Sequence, residues 1–79
     1  MSAIKFQSLD VRPGLARGVE PYAEIRRRID ALTPGRGVAI VAPFLPAPLI
    51  EKLKSEGFLS RVERRADGAW AAYFWKEAV

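Results

Sequence analysis

Residues 59–76, LSRVERRADGAWAAYFWK, hold two β-prone runs on either side of Asp67-Gly68. An Asp-Gly pair between such runs is a strong short-range signal for a hairpin, because the turn needs a residue at positive φ. The spacing predicts strands over 59–66 and 69–76. The second run is apolar on both sides of its alternation. Trp70, Ala72 and Phe74 fall on one face, and Ala71, Tyr73 and Trp75 on the other.

Upstream, residues 37–42 (GVAIVA) form a short, almost continuous apolar run between Gly37 and Pro43. That suits a strand covered on both faces. Residues 4–11 (IKFQSLDV) read as a further strand ended by Pro13-Gly14, with a loop from Pro13 to Gly18. Two helical patterns lie between the strands. The first opens at Pro21, with Tyr22, Ile25, Ile29 and Leu32 on one side, and stops at Thr33-Pro34-Gly35. The second starts near Pro46 or Pro48, turns Leu49, Ile50 and Leu53 inward, and ends at Gly57 in a Schellman motif with Phe58 packing back on Leu53. The order is β-α-β-α-β-β. The expected fold is α+β, a two-layer α/β sandwich with a mixed four-stranded sheet and both helices on one face. Residues 1–79 make a single domain.

Composition removes much chemistry. The chain has no cysteine and no histidine. That excludes disulfides, thiolate or imidazole metal ligands and imidazole general bases. Asp10, Glu20 and Asp67 are carboxylates without a base partner at a motif spacing, and a serine without a positioned base is inert. We therefore expect no enzyme, no catalytic residue, no metal and no cofactor. The net charge is +4, with nine Arg against four Lys, which bears on attraction to polyanions and not on fold. Met1–Gln7 lacks a leader's apolar core, and no apolar run approaches a bilayer span, so a cytoplasmic protein without membrane contact is expected.

Three segments taken together, Leu9-Asp10-Val11-Arg12, Arg17-Gly18-Val19-Glu20-Pro21 and Leu32-Thr33-Pro34-Gly35, resemble the TusA/SirA-like family of small bacterial β-α-β-α-β-β domains. That family shows an L-D-x-R-G strand end, a C-P-x-P motif opening its first helix, and a Pro-Gly helix stop. Counting back from the stop, Pro21 takes the second motif proline, Val19 replaces the first, and Gly18 stands where the sulfur-carrying cysteine would be. A TusA-related, cysteine-free bacterial group, a domain of unknown function, is similar over more positions. Its N-D-H-D-P-x-P-L loop reads here Ala42-Pro43-Phe44-Leu45-Pro46-Ala47-Pro48-Leu49. The resemblance spans about Leu9 to Lys76 and implies the fold. The persulfide chemistry of the family needs a thiolate that Gly18 cannot supply, and fold alone does not carry function.

Binding is the function class left. If Trp70 and Leu9 face the helices, then Phe6, Val41, Tyr73 and Trp75 face outward as an apolar group unless terminal segments or twisted strand ends cover them. Such a group on one sheet face marks an interface with a protein partner, most simply a homodimer with sheets face to face. On this reading Trp75→Ala impairs association, while Trp70→Ala costs the ~3–5 kcal/mol of a core aromatic. A competing reading uses Arg61 and Arg65, beside Tyr73 and Trp75, to bind RNA or single-stranded nucleic acid, although Glu63 sits between them. A third places a small anion at the first helix N-terminus, held by Arg12, Arg17 and the Gly18 backbone. The Arg26-Arg27-Arg28 run fans around its helix and reads as a solvated face, with Glu24 placed to pair with Arg28.

Overall fold

The computed structural model describes residues 4–76. Met1–Ala3 and residues 77–79, including the terminal segments considered as covers for the outer face, lie outside the described residues. The elements are β1 (Lys5–Asp10), α1 (Arg12–Ala16), α2 (Tyr22–Asp30), β2 (Arg36–Ala42), α3 (Ala47–Ser55), β3 (Leu59–Arg64) and β4 (Trp70–Trp75). The sheet runs β1-β2-β4-β3, with β1 and β2 parallel and the other two pairings antiparallel. This is the expected mixed-sheet α+β sandwich.

Strand position follows composition. β2 and β4 are central and apolar, and every residue of β2 after Arg36 is buried. β1 and β3 are edges that carry Lys5, Gln7 and Ser8, or Arg61, Glu63 and Arg64. Charged edges of this kind discourage pairing with other chains. One sheet face receives all the helices. Val38, Ile40, Ala42, Ala72 and Phe74 form a core with Ile25 and Ile29 of α2 and Leu53 of α3, and Leu15 of α1 packs against it. No described helix is long and apolar enough to cross a membrane.

Three local readings need correction. The loop expected over Pro13–Gly18 contains the short helix α1. Pro13 sits in its first turn, where a missing N–H costs nothing, and the Asp10 carboxylate accepts the Arg12 N–H at 3.0 Å. Pro21 precedes α2 as its cap residue instead of opening it. The hairpin loop has three residues, not two. Arg65 N–H donates to the Ala69 carbonyl at 2.8 Å, Gly68 N–H donates to the Arg65 carbonyl at 3.1 Å, and Gly68 has φ +85°. That is a type I turn closed by a left-handed glycine. The strands pair as Arg64↔Trp70 and Leu59↔Trp75, one residue away from the pairing a two-residue loop would impose.

The α3 end behaves as read. Phe58 N–H donates to the Leu53 carbonyl and Gly57 N–H to the Lys54 carbonyl, both at 3.0 Å, the two bonds of a Schellman motif.

Candidate functional site on the outer sheet face

The face turned away from the helices takes its residues from register. Phe6 lies beside Gly37, Gly37 beside Trp75, and Trp75 beside Leu59. One row along, Ser8, Ala39, Tyr73 and Arg61 are neighbours, followed by Asp10, Val41, Ala71 and Glu63. The predicted interface residues Phe6, Val41, Tyr73 and Trp75 therefore share one face, as alternation requires.

At one end the aromatics form a cluster. The Phe6 ring meets Tyr73 edge-on, with centroids 5.0 Å apart and planes at 78°, and meets Trp75 at 5.8 Å and 86°. Such edge-to-face pairs each add about 0.5–1.5 kcal/mol beyond their area. Gly37 makes room for this. A Cβ built on it would stand 2.5 and 2.7 Å from two Phe6 ring carbons and 2.7 Å from the Phe74 carbonyl oxygen. The sequence reading missed Gly37, although an isolated glycine opening an apolar strand is itself a sign of close approach. The Arg61 guanidinium lies 5.0 Å from the Tyr73 ring centroid, and the Tyr73 hydroxyl sits 3.4 Å from Glu63 Oε1. Phe6 and Leu59 remain 38% and 40% exposed, while Tyr73 and Trp75 are half-buried. The patch is thus partly covered and partly open.

Val41 is the exception among the interface residues. It points to this face but is only 3% exposed, and Ala39 and Ala71 beside it are equally closed off. These short side chains are covered, so Val41 offers a partner little surface. The far end of this face carries an ionic strap. Arg12 Nη2 meets Asp10 Oδ2 at 2.8 Å, and Arg12 Nη1 meets Asp67 Oδ2 at 3.1 Å. Asp10 ends β1 and Asp67 sits in the β3–β4 turn, so the strap spans the sheet across β2 and β4. Arg65 Nε adds a contact to Asp67 Oδ1 at 3.4 Å.

The strap predicts an acid response. The Ala69 N–H, followed by Arg12, holds the Asp67 carboxyl down at about 2, and Arg12 lowers Asp10 as well. A depressed folded-state value stabilises above the unfolded value near 3.8 and is lost as pH falls through the folded one. Thermal midpoints of the native chain should therefore fall between about pH 4 and pH 2. Asp67→Asn should flatten that slope. An unchanged slope would show the strap contributes nothing to the linkage.

Of the anion site read from Arg12, Arg17 and Gly18, Arg12 and Gly18 are engaged from within, while Arg17 is exposed. Arg12 is committed to two carboxylates. Glu20 Oε1 accepts the Tyr22 N–H at 2.6 Å and so supplies the negative charge at the α2 N-terminus. The Gly18 N–H is bonded to the Leu15 carbonyl. The arginine run on α2 is likewise paired: Arg28 with Glu24 at 2.9 Å, Arg26 with Asp30 and Glu56 at 2.8 Å each, and Arg27 with Glu24. Among the described residues, no group of three or more acidic side chains could hold a metal ion.

Trp70 shares the helix-side face, opposite Ala42, but is only half-buried beside the hairpin turn, with the Arg64 guanidinium 5.2 Å from its ring centroid. It is not the core aromatic expected of it. Phe74 is, at 0% exposure.

No curated protein and no solved structure matches the chain. The model of the uncharacterized conserved protein family DUF2249 matches residues 8–76, and with nearly its whole length covered, the chain belongs to that family.

Proposed function

We propose that the chain is a non-catalytic binding module on a TusA-like scaffold that lacks the sulfur-carrying cysteine, and that it engages a second copy of itself through the outer sheet face. The observation that carries this is the Phe6–Tyr73–Trp75 cluster, which lies on the face that receives no described helix. With Leu59 it makes a continuous apolar patch, and such patches on a small domain mark contact surfaces. The patch is bordered by both signs of charge, Arg61 and Glu63 on β3. A copy turned about a two-fold axis can therefore set unlike charges against each other.

The test is sedimentation equilibrium over a range of concentrations and salt. A dimer of the 8.8 kDa chain that weakens only modestly as salt screens its bordering charges is the expected result. Trp75→Ala should weaken dimerisation at least about tenfold, as a central aromatic anchor does, while the monomer keeps its fold. A wild-type chain that stays monomeric into the millimolar range would overturn the reading.

A second reading has one observation in its favour. A cleft of about 350 Å³ lined by Lys5, Arg28 and Arg36 also takes Phe6 into its wall, so cationic groups run into the aromatic cluster. Single-stranded nucleic acid is bound by that combination. Against it, Arg61 already covers the Tyr73 ring. Binding of a single-stranded oligonucleotide that collapses with added salt would favour this second reading.

A further inference from the structure

A cavity of about 320 Å³ opens at the carboxyl ends of β1 and β2, away from the aromatic cluster. Its walls come from separate segments: Val11 and Leu15 at α1, Ile25 of α2, Phe44 of the loop after β2, and Leu49 of α3. Ligands in open α/β sheets bind at this end of parallel strands, and small-molecule pockets have this size and apolar character. The mouth is unusually greasy for a surface loop. Phe44, which lines it, is 54% exposed although it sits between Pro43 and Pro46. Pro43 and Pro46 restrict the backbone on either side of Phe44, and a restricted wall lowers the ordering cost of binding.

Among the described residues two charged groups line the cavity, Glu20 and Lys52, and they differ in what they have left to offer. The Glu20 carboxylate is taken up by the Tyr22 N–H at 2.6 Å. Lys52 Nζ makes a loose ion pair with Glu56 Oε2 at 3.8 Å, beyond hydrogen-bond reach, so this contact does not use its N–H donors. We propose that this cavity binds a small apolar monocarboxylate, with its hydrocarbon body against Leu15, Ile25, Phe44 and Leu49 and its carboxylate on Lys52. The volume admits a small molecule and not a folded partner. The site shares no residue with the sheet-face patch, so it stands or falls independently of the dimer.

The experiment is a titration of the isotope-labelled chain with octanoate, followed by amide chemical shifts, with octan-1-ol as the uncharged control. Saturable shifts at Leu15, Ile25 and Leu49 are expected. Lys52→Gln should weaken octanoate about three- to fivefold, the worth of an exposed ion pair, and leave octan-1-ol binding unchanged. Lys52 is exposed on α3, so this variant should fold normally, which an unchanged amide spectrum without ligand would verify. Absence of saturable shifts, shifts centred on Tyr73 and Trp75, or equal octanoate binding by Lys52→Gln would each overturn the assignment.

Discussion

Phe74→Ala is expected to lower the thermal midpoint by about 15–30 °C, enough to leave much of the chain unfolded at ordinary temperatures. Phe74 is the largest side chain with no exposure. It lies on central strand β4 between Val38 and Ser60, and its ring belongs to the cluster that joins the sheet to Ile25, Ile29 and Leu53. Truncating a buried phenylalanine costs about 3–5 kcal/mol, part of it for the cavity left behind. A chain of 79 residues has a total margin of only about 4–12 kcal/mol. The loss is therefore comparable with the whole stability. Trp70→Ala should cost clearly less, because Trp70 is only half-buried and Arg64 is its partner on one side. Circular dichroism melts of the two variants check the ranking. Equal losses would mean that Trp70 is as deep in the core as Phe74.

Gly37→Ala is the second large effect, and it joins the fold to the proposed interface. The added methyl must displace the Phe6 ring, which can swing outward, and the Phe74 carbonyl oxygen, which is held in the sheet. Overpacking of this kind costs about 1–3 kcal/mol, and here the strain falls between the two central strands. Swinging Phe6 aside also breaks its contacts with Tyr73 and Trp75. Both stability and association should therefore drop. Removing the ring as well, in Phe6→Ala/Gly37→Ala, should recover only part of the stability, because the carbonyl contact remains. Two residues that share one contact are not additive. Losses from Gly37→Ala and Phe6→Ala that simply add in the double variant would show that the ring and the glycine do not meet.

Alternation was readable wherever local chemistry is strict. GVAIVA at 37–42 carries a strand buried on both faces because it has no polar residue to expose, and β2 is buried from Gly37 to Ala42. The same reasoning put Val41 on the outer face but overstated its exposure. Outward direction is a property of the strand, whereas exposure depends on the side chains of β1, β4 and the Arg12 strap around it. The hairpin shows the same limit. Asp-Gly announces a turn, yet the loop closes over three residues, because the Asp67 carboxylate takes the Ala69 N–H at 3.0 Å and Gly68 adopts the left-handed position. The apolar cavity had one legible trace, Phe44 in a proline-rich loop where polar residues are usual.

The sequence by itself determined the order of the four strands and the two longer helices, the α+β class, the two-faced character of β4 and the absence of cysteine and histidine chemistry. Each of these rests on residue type or on periods of two and 3.6, which act over a few neighbouring residues. Only the tertiary structure decided that Phe6 lies across Gly37 onto Tyr73 and Trp75, that Arg12 ties β1 to the distant hairpin, and that four separated segments enclose a cavity. These features join residues tens of positions apart. They arise from the order β1-β2-β4-β3, in which β4 enters between β2 and β3, and no local period records which strand will lie beside which.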